Sequence, residues 1–156
     1  KAIFSKLAIL LLAGLFSTAL STVLFGVLFS YMTGTKLPIG FFVLIPIVLW
    51  GSNVMMYGLH LILAFCFGRN FGISIGVIGS LLSALFQTGL GTGLWYIIPY
   101  GLGVRFAESA LAYLFDLPPA GNLENQIGII SCTVFTCGTI GLIAFWFSRY
   151  SGTSSD

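Results

Sequence analysis

The residue types that could perform nucleophilic chemistry in this chain lie within long apolar stretches. A hydrolase needs a nucleophile, a base and an oxyanion hole in mutual contact. Ser52 and the only histidine, His60, share one such stretch. If that stretch is helical, they are about 12 Å apart along its axis, which is beyond hydrogen-bond reach. A serine from another helix would have to approach His60. The candidates, none of them within a Gly-x-Ser-x-Gly motif, are Ser80, Ser83 and Ser131.

Three polar side chains are candidates for function because of where they lie. Asn53, His60 and Gln87 fall within apolar stretches, where polar groups are costly and are often functional. The alternative, which we favour for His60, is a neutral imidazole that forms a hydrogen bond between helices. None of the apolar stretches long enough to cross a membrane contains Asp or Glu. We therefore do not expect this chain to carry out proton-coupled transport alone.

The other motifs that could carry chemistry are weak. Arg105 and Glu108 have the i,i+3 spacing that favours a local ion pair on a helix. The glycine-rich run 89–93 follows an apolar helix rather than a strand, so its context argues against a nucleotide-binding loop. Cys66, Cys132 and Cys137 lack the spacing of a metal site and are interpreted as small buried hydrophobic residues. No basic cluster indicates binding to nucleic acid, and we expect no cofactor on this chain.

Composition places these residues in a membrane. Only 6% of the residues are charged and 58% are hydrophobic, whereas about a quarter of a soluble domain is charged. A helix needs about 20 apolar residues to cross a bilayer. We predict an all-α, polytopic helix bundle that forms a single transmembrane domain over residues 1–156. Its four predicted crossings are Leu7–Tyr31, Phe41–Phe67, Phe71–Leu90 and Ile127–Phe147.

The segment before the last predicted crossing is expected to form an outer re-entrant or interfacial hairpin over residues 94–116. Its two apolar pieces, Leu94–Gly103 and Val104–Phe115, are each too short to cross. Pro99, with the glycines that follow it, is expected to interrupt any continuous helix. Three aromatic residues there suit the headgroup level of a bilayer. They are Trp95, Tyr96 and Tyr100.

Small residues indicate how the predicted crossings pack. They let membrane helices approach closely, and the third crossing carries two faces of them, which predicts a central helix. One face holds Gly72, Gly76, Ser80 and Ala84; the other holds Gly79, Ser83, Gln87 and Gly91. The second crossing is longer than the bilayer requires, so we expect it to tilt or to kink near Pro46.

The distribution of Lys and Arg predicts the orientation. Cytoplasmic segments carry an excess of these residues. If Lys1 and Lys6 are cytoplasmic, four crossings place Arg69 and Arg149 on the same side, and both chain ends face the cytoplasm. Lys36 and Arg105 then lie outside. The sequence opens on lysine rather than methionine, so we expect an N-terminal portion to precede it.

A string of motifs between Leu59 and Phe106 resembles a known family. It runs through Phe67-Gly68-Arg69-Asn70, Gly76-Val77-Ile78-Gly79-Ser80-Leu81-Leu82-Ser83-Ala84-Leu85, Thr88-Gly89-Leu90-Gly91, Trp95-Tyr96-Ile97-Ile98-Pro99 and Arg105-Phe106. These residues are similar to the permease subunits of lantibiotic-immunity ABC transporters, within the type 2 ABC exporters. The resemblance implies six helices per permease, of which the crossings seen here would be the last four. The first two helices of that pattern, and the cytoplasmic segment that contacts the ATPase, are either absent or lie upstream of this sequence.

The resemblance also implies partners and a location. Two permeases, the same or different, would pair with two ATPase subunits in the bacterial cytoplasmic membrane, with ATP and Mg on the ATPase. The substrate would be an amphipathic antimicrobial peptide. Candidates for coupling to the ATPase are Lys6, Gly68, Arg69, Asn70 and Phe71. Candidates for the outer exit of the peptide are Trp95, Tyr96, Pro99, Tyr100, Arg105 and Glu108. The alternatives are a membrane-embedded assembly or sensor protein without a transport path, and an intramembrane hydrolase.

Overall fold

The computed structural model is all-helical, as the sequence predicts. It describes residues 2–118 and 121–149, with side chains described except at 2–4, 122 and 147–149. Helix accounts for 85% of it, and the described residues contain no strand. The helices are α1 (Ala2–Thr33), α2 (Ile39–Ser52), α3 (Val54–Phe67), α4 (Arg69–Phe86), α5 (Pro99–Leu114) and α6 (Asn122–Arg149), with a short 3₁₀ turn at Gly89–Gly91. Lys1, part of the turn before α6 and the polar end of the chain fall outside the described residues.

Within the described residues, three helices are long and apolar enough to cross a membrane. They contain the segments Ser5–Thr33, Arg69–Phe86 and Leu123–Trp146. A fourth crossing is obtained if α2 and α3, which meet at a bend of 40°, form one span. Large apolar side chains are exposed along all three segments. Exposing so much apolar surface to water is unfavourable, so the surfaces of these segments are suited to contact with lipid.

The bend between α2 and α3 lies at Asn53 and not at Pro46. Pro46 lies inside α2, and the helix continues past it to Ser52. At the bend the Asn53 side chain donates a hydrogen bond from Nδ2 to the Leu49 carbonyl oxygen at 2.7 Å. The Ser52 hydroxyl donates to the Val48 carbonyl at 2.6 Å. Side chains of this kind compete for the carbonyls of the preceding turn and bend helices, which explains where the helix breaks.

The prediction that α4 is central is wrong. The helix at the centre is α3, which contacts α1, α4 and α6 and joins α2 through the bend. The contacts of α4 are mainly with α3 and α5. Gly72 and Gly76 face α3, whereas Ser80, further along the same face, is exposed. The small residues therefore allow close packing of α3 and α5 against one side of α4, and the rest of the α4 surface is available to lipid.

The predicted interruption within 94–116 is confirmed at Pro99, because residues 94–98 are non-helical and α5 begins at that proline, but it is wrong at the glycines. Pro99 occupies the first turn of α5, and the helix continues without a break through Gly101 and Gly103. Proline is tolerated at a helix start because its missing N–H would have no partner there. Both glycines are buried in close contacts, Gly101 against the backbone of Trp95 and Gly103 against the Asn53 amide. In α5 they act as packing surfaces, not as helix breakers.

Two clusters of buried apolar side chains hold α5 in place. The larger one lies where α3, α4, α5 and the 87–98 segment meet, and the smaller one joins α2 to α5. The larger cluster comprises Met55, Met56, Phe86, Trp95 and Leu102. The smaller comprises Phe41, Ile45 and Ala110. Because α5 contributes to both, its position relative to α2, α3 and α4 is fixed along its length.

Candidate functional site

The first candidate site is the junction of α3, α4 and α5 around Tyr100. The Tyr100 hydroxyl and His60 Nε2 are hydrogen-bonded at 3.1 Å, and the same hydroxyl lies 3.4 Å from the Ile75 carbonyl oxygen. The Ser83 hydroxyl donates to the Tyr100 backbone carbonyl at 2.7 Å. Gly79 lies under the tyrosine ring, where a Cβ atom would overlap it. The expected hydrogen bond from His60 to another helix is confirmed, and its partner is Tyr100.

The hydrogen bonds of this junction do not pair a serine with His60. The Ser52 hydroxyl bonds to carbonyls of its own helix, and that of Ser80 bonds to Val77 O at 2.7 Å. Between helices, the described hydrogen bond of the His60 ring goes to the Tyr100 phenol and not to a serine. The described contacts of this junction fix three helices against each other.

The second candidate site lies around Trp95 at the start of α6. The Trp95 side chain is 2% exposed, so it does not lie at the bundle surface as an interfacial aromatic would. Its Nε1 donates to Glu124 Oε2 at 3.0 Å, and its ring covers Gly128, where a Cβ atom would collide with the indole. Phe106 packs edge-on against the same ring, with centroids 5.7 Å apart. Trp95 therefore attaches the 87–98 segment to α6.

Arg105 extends this polar cluster. The predicted ion pair is confirmed, with Nη1 of Arg105 3.0 Å from Glu108 Oε2. Nη2 donates to the Thr88 carbonyl at 3.2 Å, which connects α5 to the end of α4. A neighbouring bond joins the Ser109 hydroxyl to Asn125 Oδ1 at 3.1 Å. The sequence reasoning missed the α6 side of this cluster, although an acidic residue in the first turn of a helix was a signal that could have indicated it.

The coupling candidates share one end of the molecule. Gly68, with φ +91°, makes the turn between α3 and α4. Arg69, Asn70 and Phe71 after it are exposed. Lys6 Nζ lies 5.2 Å from the centroid of the Phe65 ring, which brings the start of α1 to the end of α3.

The remaining predicted site residues lie outside these two clusters or at their edges. Gly72 packs against Ala64 in the α3–α4 contact. Gln87 is exposed at the end of α4, and Tyr96 is partly buried next to Trp95. Asn53 lies at the bend and contacts Gly103. Among the described residues no group of three or more His, Cys, Asp or Glu could hold a metal ion.

The fold and these contacts define a class, an all-helical bundle of the membrane type. Comparison of the chain with family models, with curated proteins and with solved structures gives no match.

Proposed function

We propose that this chain is a membrane-spanning permease subunit of an ABC exporter that removes lantibiotic-like peptides from the bacterial membrane, driven by a separate ATPase. One observation supports this most. The residues that resemble the permease family, from Leu59 to Phe106, fold into one packed unit. Within it, Tyr100 connects α3, α4 and α5. A shared motif string is expected to correspond to a physical unit of this kind.

The two ends of the bundle differ in a way that suits coupled transport. At one end, Arg69, Asn70 and Phe71 form an exposed turn that an ATPase subunit could contact. At the other end, Arg105 and Trp95 tie the 87–98 segment to α5 and α6. Force applied to the turn would pass along α3 and α4 to the Tyr100 junction. Rigid-body movement of packed helices is a known means of opening a path between subunits.

The proposal assigns roles to the two groups of residues. The turn, together with Lys6, contacts the ATPase, and the cluster around Trp95 and Arg105 forms the outer boundary of the path. The peptide leaves along the exposed apolar surface next to that boundary, where Leu94 and Ile97 are exposed. ATP and Mg are bound by the ATPase, and the second permease completes the path.

The test is reconstitution with an ABC ATPase, which is to be sought among the genes next to the one that encodes this chain. The complex is co-purified into vesicles, and ATP hydrolysis is measured with and without a lanthionine-containing peptide. We expect stimulation by the peptide, and we expect Arg69→Glu to reduce both co-purification and stimulation. Lys36→Glu is the matched control, since Lys36 is an exposed cation in the turn between α1 and α2.

Two results would contradict the proposal. One is a stable complex of this chain that contains no nucleotide-binding subunit, which would favour an assembly or sensor protein. The other is an equal loss of co-purification in both charge-reversal variants, because the turn after α3 would then have no special role.

A further inference from the structure

A cavity between α2, α5 and α6 has no role in the proposed transport. It is wide open to the protein surface and has a volume of about 340 Å³. Ile47, Gly51, Ile129 and Thr133 form an exposed rim. The floor is formed by more buried residues, namely Val48, Ser52, Phe106 and Cys132. The cavity lies beside the bend at Asn53, where α2 ends.

The polar atoms of the cavity wall are already satisfied. The Ser52 hydroxyl donates to Val48 O, and the Thr133 hydroxyl donates to Ile129 O at 2.9 Å. The Cys132 thiol lies 3.8 Å from the Ser52 carbonyl oxygen. None of the described residues that line the cavity is charged. An occupant can therefore gain little from hydrogen bonds or charge there, and water, which needs two to four polar partners, is a poor one.

The depth of the cavity indicates which apolar occupant is available. Ile129 and Thr133 lie seven and eleven residues after Asn122, which is about 10–17 Å along α6. With the start of α6 at the membrane surface, the surrounding medium at that depth is hydrocarbon. A methyl group on Gly51 would meet no atom within 4 Å, so a side chain at this rim position has room to extend into the cavity.

We propose that this cavity binds the hydrocarbon chain of a bilayer lipid. The uncharged wall, with its internal hydrogen bonds complete, complements a chain that carries neither charge nor donors. The bend between α2 and α3 creates the space, and the lipid chain packs against Phe106 and the floor. This inference depends on the membrane location of α2 and α6 and not on the export of a peptide.

The test uses a phosphatidylcholine that carries a photoreactive diazirine in one acyl chain. The purified full chain in detergent micelles, which dilute lipid at the general surface, is mixed with this probe and illuminated. Adducts are located by mass spectrometry. We expect them to be concentrated on residues 47–52 and 129–133, and to fall about tenfold, equivalent to 1.4 kcal/mol, in Gly51→Leu, whose side chain would fill the cavity.

Gly138→Leu is the matched control. Gly138 is exposed on α6, a Cβ atom there would meet nothing within 4 Å, and it does not line the cavity. Thr133→Leu fills the cavity from the opposite wall and serves as a second variant if Gly51→Leu does not fold. Adducts spread evenly along α6, or an equal reduction in the control, would overturn the proposal. So would cross-links at the rim between two copies of the chain, which would mean that a protein helix occupies the cavity.

Discussion

At the scale of single residues, the contact of Gly79 with Tyr100 shows most directly how the helices of the bundle are packed together. The tyrosine ring lies where any side chain on Gly79 would have to go. Its hydroxyl reaches His60 on another helix. The packing and the hydrogen bond of Tyr100 therefore both depend on the absence of a side chain at Gly79. Substitutions at the two positions can separate the contribution of packing to stability from that of the hydrogen bond.

Gly79→Val is expected to destabilise the protein through overpacking. The valine methyl groups would displace the Tyr100 ring and separate α4 from α5, at a cost of about 1–3 kcal/mol. The measurement is the midpoint of thermal unfolding in detergent, monitored by size-exclusion chromatography. Gly138→Val is the control, because that glycine has open space around it. Equal midpoints for the two variants would contradict the assigned packing.

Tyr100→Phe is expected to have a smaller effect. It keeps the ring over Gly79 and removes only the hydroxyl that bonds to His60. Hydrogen bonds between membrane helices contribute about 0.6 kcal/mol on average, so the unfolding midpoint should fall less than in Gly79→Val. A loss as large as that of the valine variant would show that the hydroxyl, rather than the ring, holds the junction.

At the scale of elements, Trp95 determines how the 87–98 segment meets α6. Its ring lies over Gly128, and its Nε1 bonds to Glu124. Neither contact involves residues close in sequence, since the hydrogen bond spans 29 positions. The segment has little regular structure of its own, so this attachment is what positions it.

Gly128→Leu is expected to displace Trp95 from α6. Fluorescence quenching by acrylamide can measure this in a chain where Trp50 and Trp146 are replaced by phenylalanine. We expect Trp95 to be well protected in that background and several-fold more accessible after the leucine substitution, because burial excludes the quencher. Gly141→Leu, at an open position of the same helix, should leave quenching unchanged; an increase there as well would contradict the assigned contact.

The sequence predicted most of the helices for a simple physical reason. Long apolar stretches in lipid must satisfy their backbone hydrogen bonds internally, and a helix does this. The Arg105–Glu108 pair followed from local spacing in the same way. The sequence could not locate the bend at Asn53, because Pro46 was the stronger local signal and the side-chain bonds that bend the helix depend on conformation.

Contacts between distant residues account for the other differences. Tryptophan is a residue type typical of the membrane interface, yet the contacts of Trp95 with Glu124 and Gly128 place it in the interior of the bundle. Glycines in α5 indicate a break when read locally, but Trp95 and Asn53 require them as close contacts within a continuous helix. Small residues on α4 indicate close neighbours without indicating that these lie on one side only.

At the scale of the whole molecule, the account depends on how the bent pair α2–α3 is placed. If the pair is one crossing, the turn containing Lys36 and the turn containing Arg69 lie on opposite sides of the membrane. The chain then crosses four times, and the exposed turn after α3 faces the same side as the start of α1. If the pair enters and leaves on one side, the three remaining crossings give a different arrangement, and the ATPase contact has no basis.

The most direct measurement is cysteine labelling from each side of the membrane. Lys36→Cys and Arg69→Cys are introduced separately into a chain whose three native cysteines are replaced by alanine. Intact cells and inverted vesicles are then treated with a maleimide that does not cross the membrane. We expect Lys36→Cys to react only in intact cells and Arg69→Cys only in inverted vesicles. Reaction of both positions from the same side would contradict the single crossing by α2 and α3, and with it the proposed coupling to an ATPase.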